Sequence, residues 1–368
     1  MHEVIATCYE PNPPACTMII SADRLTKQFK TLRRKEGPLG AVATLFSRDY
    51  DVKDAVRDVS FQLDAGELVG YIGPNGAGKS TTIKMLTGIL VPSSGTCTVN
   101  GIVPWADRQG NGRQIGVVFG QRTQLYWDLP LLESFQLLRA IYNIPAATYE
   151  RNLREFTELL ALDEFMHTPV RQLSLGQRMR GDFAAAMLHE PKVVFLDEPT
   201  IGLDVVAKEN IRQFIARVNR DRGTTFILTT HDLADIEKLC ARIILIDHGR
   251  KLYDGSVETI KGRYGRNRTL TADLNCESCD DVSITVPGAK VVEREGPRIV
   301  IEFDRDAVRA DELVVQLAHH YELKDVTIAE PPLESIIRDI YQHGFGDTGI
   351  PSAVGDGLLV SADVETVS

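Results

Sequence analysis

The sequence of 368 residues predicts an α/β protein with a mostly parallel sheet, a helical insert and a small α+β module near its C-terminal end. Short apolar runs of strand length, separated by helical stretches, predict a covered parallel sheet; they lie at 193–196, 225–228 and 243–246. Leu and Phe recur at helical spacing over 131–143 and 149–162, which predicts the insert. The pattern changes near residue 265, where several short strand-like runs begin.

The elements of the main domain follow from local patterns. Alternating or apolar runs at 58–63 and 67–72 flank the turn residues Asp64, Ala65 and Gly66, and the second run leads into glycine-rich sequence. A third helix of the insert starts near Gly176 and runs to Leu188. We therefore expect a strand, a turn, a second strand and a glycine-rich loop, followed by the insert and the parallel sheet.

The whole chain divides into five predicted segments. A loose leader is expected first, then the main domain with its helical insert, then an accessory α+β domain and a mobile tail; their bounds are 1–20, 21–264 (insert about 128–190), 265–342 and 343–368. In the accessory domain the patterns predict strands, then a helix, a strand and a helix, at 268–274, 282–286, 290–294, 298–303, 306–320, 325–329 and 332–342.

Composition limits the classes of function. The chain is 43% hydrophobic and 25% charged, as in soluble globular proteins, and its apolar runs are far shorter than the roughly 18 residues of a membrane helix. Lys and Arg number 41 against 51 Asp and Glu, which disfavours nucleic acid as a partner. The first residues lack the pattern of a signal peptide. We expect a cytoplasmic protein that binds no nucleic acid and reaches a membrane only through a partner.

Six cysteines are spread over the chain, and Cys276 and Cys279 form one C-x-x-C pair. Such a pair can be half of a zinc site or a redox pair. No second pair or histidine cluster lies near it in the sequence, so neither role is favoured.

The strongest motif is the run from Gly73 to Ser80, which matches G-x-x-x-x-G-K-[ST] between a predicted strand and a predicted helix. In such a phosphate loop, glycines let backbone N–H groups turn toward phosphates, and the helix points its positive end at them. Lys79 would reach the terminal phosphates and Ser80 would offer its hydroxyl to Mg²⁺.

A second motif is the apolar strand that ends in Asp197 and Glu198. A carboxylate at this place can hold Mg²⁺, and a following Glu can act as the base for an attacking water. Two acids at a strand end are also common in solvated turns and helix caps. Their position downstream of a phosphate loop favours the catalytic interpretation.

With Leu173-Ser174-Leu175-Gly176-Gln177 the sequence resembles the ABC (ATP-binding cassette) ATPases, whose signature motif this run is similar to. The order of elements is also similar: phosphate loop, Gln121, signature, acidic strand, a Gly202-Leu203-Asp204 D-loop and His231. The resemblance spans roughly residues 21–262. It implies a P-loop ABC ATPase core with an antiparallel β subdomain and a helical subdomain.

The resemblance also implies functions for individual residues. ATP and Mg²⁺ would be the cofactors, with Glu198, His231 and Gln121 catalytic and Ser80, Gln121 and Asp197 at the metal. Nucleotide would be bound by Phe29, Asn75, Gly76, Gly78, Lys79, Ser80, Thr81, Ser174, Gly176, Gln177 and Asp204. The signature would close on ATP held by a second cassette, either another copy or a relative, and Asp204 would couple the two sites.

Three questions stay open at the level of sequence. The adenine-stacking aromatic is either Phe29 or Tyr50, since 30–53 looks like an insertion relative to the family. Apolar residues at helical spacing in that insertion predict a helix that lies near the membrane or packs on the edge of the sheet. Tyr126 and Trp127 either receive a membrane partner or anchor the helical insert.

The sequence therefore predicts the ATP-hydrolysing subunit of a transporter, coupled to an integral-membrane permease and peripheral on the inner face of the cell membrane. The segments Val117–Gln121 and Trp127–Pro130 resemble the ABC-2-type branch, often in export. The alternative is a soluble ABC ATPase of translation or DNA repair. Such proteins usually carry two cassettes in one chain or a long coiled-coil or zinc-bearing insertion, and this sequence has neither.

Overall fold

The computed structural model describes residues 18–32, 50–120, 122–265, 267–275 and 286–344. The chain divides into two compact units between Ile260 and Lys261, a few residues before the predicted change near 265. Six sequence predictions lie wholly or mainly outside the described residues: the leader, the tail, the helix of the insertion, the Cys276/Cys279 pair, the strand at 282–286 and Gln121.

The first unit contains nine strands and seven helices among its described residues. The strands are β1 (Met18–Leu32), β2 (Tyr50–Asp64), β3 (Leu68–Ile72), β4 (Ser94–Val99), β5 (Ile115–Phe119), β6 (Val193–Asp197), β7 (Thr225–Thr229), β8 (Arg242–Asp247) and β9 (Arg250–Ser256). The helices are α1 (Lys79–Leu86), α2 (Arg108–Gln114), α3 (Leu131–Tyr142), α4 (Ala146–Leu160), α5 (Leu175–Met187), α6 (Val205–Arg222) and α7 (Leu233–Leu239). A further helix, α8 (Val257–Tyr264), crosses the boundary between the units.

The main sheet has the strand order β5-β6-β7-β3-β8-β9. All neighbours are parallel except β9, which runs antiparallel to β8. The strands β6 and β7 are buried almost throughout, which explains why they read as continuous apolar runs in the sequence. The predicted parallel sheet is therefore confirmed, with the phosphate loop at the carboxyl end of β3.

A second sheet, β2-β1-β4, is antiparallel and shares one hydrophobic core with the main sheet and with α1. Its β1–β2 ladder extends to the pair Leu32 and Tyr50. Residues 30–32 and 50–53, at the two ends of the predicted insertion, therefore form a strand pair. Most of the described side chains at this end are exposed, so no alternation of apolar residues marks the strands in the sequence.

The predicted helical insert consists of α3, α4 and α5, within one or two residues of the expected bounds except that α4 begins at Ala146, directly after Pro145. Aromatic contacts anchor it on α6: the Phe214 ring lies 5.4 Å from that of Phe156 and 6.1 Å from that of Phe183, both edge-on. The insert is thus fixed to the helix that follows the acidic strand.

The second unit is a small α+β module with the sheet order β11-β12-β10-β13. Its elements are β10 (Asn267–Leu274), β11 (Ala289–Glu295), β12 (Arg298–Asp304), α9 (Ala310–His320), β13 (Leu323–Ala329) and α10 (Leu333–His343). The helix predicted from 306 begins four residues later. The reason is local: the Asp304 carboxylate accepts the Asp306 N–H, which holds a turn in place of a helical start.

Within the described ranges, no helix combines the length and apolarity needed to cross a membrane.

Candidate active site

The glycine-rich loop 73–80 joins β3 to α1, as predicted. Neighbouring backbone passes so close that two glycines have no substitute. A Cβ on Gly73 would lie 2.4 Å from the carbonyl oxygen of Ile246, and one on Gly78 would lie 2.4 Å from that of Ala55. Gly78 also has φ of +106°, which L side chains rarely adopt. The close backbone packing therefore depends on these glycines.

Lys79 is only 6% exposed and points into the loop. Its Nζ donates to the carbonyl oxygens of Gly73, at 2.6 Å, and Pro74, at 3.2 Å. Burial lowers the pKa of Lys79, and the nearby Glu198 and Asp197 carboxylates oppose that shift. The ammonium thus has neutral partners, so a phosphate entering the loop would offer it a stronger, charged one.

The predicted metal residues Ser80 and Asp197 lie together. Ser80 Oγ donates to Asp197 Oδ1 at 3.2 Å, and Thr229 Oγ1 donates to the same oxygen at 2.6 Å. The register of β6 and β7 sets Thr229 opposite Asp197. The sequence analysis did not predict a role for Thr229. The feature that could have indicated it is a threonine at the end of the apolar strand next to the acidic strand. A hydroxyl and a carboxylate are ligands that suit Mg²⁺, so the residues present fit that ion.

The predicted base Glu198 and His231 are in direct contact. Glu198 Oε1 lies 2.6 Å from His231 Nε2. The backbone at Glu198 has φ of +53°, which is uncommon for a residue with a side chain, and its N–H donates to the carbonyl of Thr229 at 2.9 Å. The left-handed turn directly after β6 therefore aims the carboxylate at the histidine, at a cost of order 1 kcal/mol.

Two cavities meet at Ser80 and Glu198. One, of about 300 Å³, is lined by eight predicted residues: Phe29, Asn75, Gly76, Gly78, Lys79, Ser80, Thr81 and Glu198. The other, of about 310 Å³, includes Ser80, Asp197, Glu198, Gly120 and Arg122 in its lining. Tyr50 lines neither cavity, so the geometry favours Phe29 as the aromatic at the nucleotide. Gln121 lies outside the described residues, between two residues that line the second cavity.

The signature residues lie elsewhere. Ser174 caps α5: its Oγ accepts the Gln177 N–H at 3.2 Å, and Gln177 Oε1 accepts the Ser174 N–H at 2.9 Å. A Cβ on Gly176 would meet its nearest atom, the Cβ of Ala207, at an ordinary 3.6 Å. None of the described residues 173–177 lines either cavity. A single chain therefore does not bring its signature to its own phosphate loop.

Asp204 is exposed and caps α6, where its Oδ1 accepts the Ala207 N–H at 2.8 Å. It is likewise absent from the lining of both cavities. The structure thus brings together the phosphate loop, Phe29, Asp197, Glu198 and His231, whereas the signature and Asp204 do not line the two cavities beside them.

A polar support behind His231 was not predicted. Asp235, fully buried in α7, accepts from Thr200 Oγ1 at 2.7 Å and from Arg212 Nε at 2.6 Å. Lys208 Nζ donates to Asp232 Oδ2 at 2.6 Å. These contacts tie the segment after Glu198 and the helix α6 to the loop that carries His231. They join residues far apart in the chain, so no local motif marks them.

Two aromatics follow the Gln121 loop on the surface. Trp127 is 52% exposed and Tyr126 is 39% exposed. The Arg178 guanidinium lies 5.9 Å from the centre of the Trp127 ring. Trp127 is therefore only partly used to anchor the insert and leaves an apolar face open.

Comparison with known proteins identifies the family. The family model described as ABC transporter matches residues 56–201. The ABC transporter ATP-binding protein NatA of Bacillus subtilis is 32% identical over 215 residues, which are 58% of this chain and 87% of NatA. The Nod factor export ATP-binding protein I of Ralstonia nicotianae is 35% identical over 260 residues, 69% of this chain and 76% of that protein.

A solved structure agrees with the fold. The structure of a dimeric ATP-binding cassette in a post-hydrolysis state, bound to ADP and Pi, has 25% sequence identity to this chain and a TM-score of 0.54. The match covers 65% of this chain and 98% of the cassette. The chain thus belongs to the ABC transporter ATP-binding proteins and is an ATPase of that family.

Proposed function

We propose that two copies of this chain form the ATP-driven motor of an ABC-2-type exporter, in which closure of the cassette pair on ATP drives a separate permease. The observation that carries the proposal is the separation within one chain. The catalytic residues surround the two cavities, whereas Ser174, Gly176 and Gln177 are absent from their lining. A second cassette supplies the missing signature, as the dimeric relative supports.

The catalytic step assigns one task to each side chain. Lys79 exchanges its loop carbonyls for the terminal phosphates of ATP, and the N–H groups of the loop hold the remaining oxygens. Glu198 accepts the proton of the water that attacks the γ-phosphorus, the bond from that phosphorus to the bridging oxygen breaks, and ADP leaves. In the structure His231 Nε2 holds the Glu198 carboxylate at 2.6 Å, so Glu198 turns from the histidine toward the water before it acts as the base. Displacement of Glu198 from His231 toward water is thus part of the proposed cycle.

Mg²⁺ is the proposed metal, held by Ser80 and Asp197, with Gln121 as the third residue assigned to it. The ion would neutralise charge on the β- and γ-phosphate oxygens. Thr229 keeps Asp197 Oδ1 oriented toward Ser80 through its 2.6 Å hydrogen bond. The adenine is proposed to stack on Phe29, which lines the same cavity as the phosphate loop.

Two observations support the proposal of export through an ABC-2-type permease: the similarity to an export protein and an exposed aromatic surface. The Nod factor export protein is 35% identical over 260 residues, which are 69% of this chain. The exposed face of Tyr126 and Trp127 offers large apolar side chains to a helix of the permease. The chain would then lie at the inner face of the membrane through that contact. The second unit is proposed to be an accessory domain, with the cassette and its helical subdomain occupying the segments predicted from sequence.

A test of the paired motor uses Glu198→Gln. Loss of the base should reduce hydrolysis at least about 100-fold while ATP still binds. Light scattering should then show a dimer with ATP and a monomer with ADP. Gly176→Asp in the same background is the matched control, since a carboxylate on the signature should repel ATP held by the other copy and leave a monomer. A Glu198→Gln variant that hydrolyses ATP at the parental rate contradicts the assignment of the base.

The direction of transport has a separate test. Neighbouring reading frames that encode six-span membrane proteins agree with an ABC-2-type exporter. A neighbouring solute-binding protein instead indicates import. Reconstitution of the complex in inside-out vesicles decides between them, since an exporter accumulates its cargo inside these vesicles when ATP is added outside.

A further inference from the structure

The strands β1 and β2 supply one part of the wall of the cavity at the phosphate loop. Phe29 and Lys53 are direct partners in this ladder, and both line the cavity of about 300 Å³, together with Ala55. Directly opposed side chains lie on the same face of a strand pair, with Cβ atoms about 4.5–5.5 Å apart. The Lys53 side chain therefore stands beside the Phe29 ring, on the side that faces the cavity.

Ala55 joins the other end of this wall to the phosphate loop. A Cβ on Gly78 would lie only 2.4 Å from the carbonyl oxygen of Ala55, so β2 and the loop are in direct contact there. Lys53 precedes this contact by two residues, which is about 7 Å along a strand. It thus lies between the Phe29 ring, proposed to bind the base, and the loop proposed to bind the terminal phosphates.

The Phe29 ring is held by a group that does not occupy the cavity. Lys27 Nζ donates to the carbonyl oxygen of Val91 at 2.7 Å and lies over the Phe29 ring, 5.6 Å from its centre. Lys27 is absent from the lining of the cavity. A cation over one face of an aromatic ring leaves the opposite face for stacking. The ring can therefore receive a base while Lys27 stays in place.

The charged groups of the cavity differ in what they contact. Its lining contains two cations, Lys53 and Lys79, and one carboxylate, Glu198. Lys79 donates to loop carbonyls, and Glu198 contacts His231. Lys53 is exposed, and within the part of the chain that the structure describes no hydrogen bond or ion pair engages its ammonium. This ammonium is therefore available to an anionic group of the nucleotide.

We propose that Lys53 binds the α-phosphate of ATP and so fixes the middle of the nucleotide. The inference rests on the proposed function, in which the base stacks on Phe29 and Lys79 reaches the terminal phosphates. In a nucleotide held at both ends, the ribose and the α-phosphate lie between these two contacts, beside Lys53. The α-phosphate is the charged group of that middle part, and a lysine ammonium binds phosphate as a point charge.

The test measures competition for the site in the full-length protein. A fluorescent ATP analogue is displaced by ATP, AMP or adenosine, which differ in the phosphates that they carry. In Lys53→Ala the dissociation constants of ATP and AMP should each rise about 10-fold, because a charge-assisted contact is lost. The constant for adenosine should stay within about 2-fold of the parent, since adenosine has no phosphate. Lys53→Arg keeps the cation and should bind all three within about 3-fold of the parent.

Lys30→Ala is the matched control. Lys30 is an exposed lysine of the same ladder, opposite Val52, and it does not line the cavity. Its removal changes the net charge by the same amount as K53A, so binding of ATP and AMP should stay within about 2-fold of the parent.

Steady-state hydrolysis gives a second readout. In K53A the KM for ATP should rise about 10-fold while kcat stays within about 2-fold of the parent, because Lys53 holds the nucleotide and not the reacting atoms. The rise in KM should become smaller as salt is added, since the contact is between two charges near the surface. Loss of kcat at unchanged KM would contradict the binding role.

Two results of the competition experiment overturn the inference. Parental affinity for AMP in K53A shows that Lys53 does not reach the α-phosphate. An equal loss for adenosine and AMP shows that the residue supports the base or the ribose instead. Phe29→Ala run in parallel separates this inference from the proposed function, because it should weaken the binding of adenosine. Unaltered adenosine binding in that variant refutes the proposed place of the base and not the contact of Lys53.

Discussion

Two groups of hydrogen bonds in the first unit each contain a buried aspartate, Asp235 in one and Asp182 in the other. Behind His231, Asp235 is paired with Arg212 and with the Thr200 hydroxyl. Beside Thr123 and Gln124, Asp182 accepts hydrogen bonds from neutral donors, and its other oxygen has no hydrogen-bond partner among the described residues. Both carboxylate oxygens of Asp235 therefore have a hydrogen-bond donor, whereas only one oxygen of Asp182 has donors among the described residues.

The difference indicates different mechanical roles. A buried ion pair resists displacement, because separating its partners leaves a charge in the protein interior. Neutral hydrogen bonds to a loop are weaker and can be exchanged one at a time. We therefore expect the contacts of Asp235 to resist displacement more strongly than the hydrogen bonds that Asp182 accepts.

The largest effect is expected from breaking the ion pair of Asp235. Arg212→Met leaves Asp235 buried without its cation, which should lower the free energy of unfolding by about 3–5 kcal/mol. Urea denaturation measures this loss. Arg220→Met on the same helix is the control: its ion pair with Asp221 is exposed, so the free energy should change by less than about 1 kcal/mol. Equal effects of the two changes would contradict the distinction drawn between the regions.

A smaller effect is expected from Asp182→Asn, and it depends on pH. Because burial raises the pKa of Asp182 from 3.8 to about 6, the folded protein keeps a proton that the unfolded chain has lost between these values. The free energy of unfolding therefore falls as pH rises through this window, by about 2–3 kcal/mol. Removing the group should cancel that fall.

Denaturation of D182N and parent at several pH values tests this sign. The stability of the variant relative to the parent should increase between pH about 4 and about 6.5. Asp163→Asn removes an exposed carboxyl group and should follow the parental curve. A constant difference between D182N and parent across the window means that Asp182 ionises like an ordinary carboxyl group.

The smallest effect is expected from Thr200→Val, which removes one hydrogen bond to Asp235 and leaves the Arg212 pair intact. The free energy of unfolding should fall by about 1.5 kcal/mol, less than for Arg212→Met, since a single donor to a charged group is lost. The same denaturation experiment measures it. A loss as large as that of Arg212→Met would mean that the hydroxyl, and not the ion pair, holds this region.

The sequence predicted what local chemistry determines. The loop 73–80, the acidic strand end and the Ser174 cap each specify their own backbone, and the structure has them at the expected places. The strands of the main sheet could also be predicted from the sequence, because burial on both faces gives continuous apolar runs.

The remaining features depend on residues that are distant in the chain. Thr123 and Asp182 are 59 positions apart, and Thr200 and Asp235 are 35 apart, so only the folded chain pairs them. The exposed ends of β1 and β2 carry no alternation that would reveal them. The preference for Phe29 over Tyr50 likewise depends on the lining of a cavity, which only the folded chain forms.

The central claim, that each ATP lies between the phosphate loop of one copy and the signature of the other, is tested most directly by mixing two inactive variants. Lys79→Ala disables the loop, and Gly176→Asp disables the signature without crowding its neighbours. In a mixed pair one site combines the intact loop of one copy with the intact signature of the other. An equal mixture should regain about a quarter of parental ATP hydrolysis, since about half of the pairs are mixed and each has one of two sites. No gain over the separate variants, under conditions where light scattering shows pairs of copies, would contradict the claim.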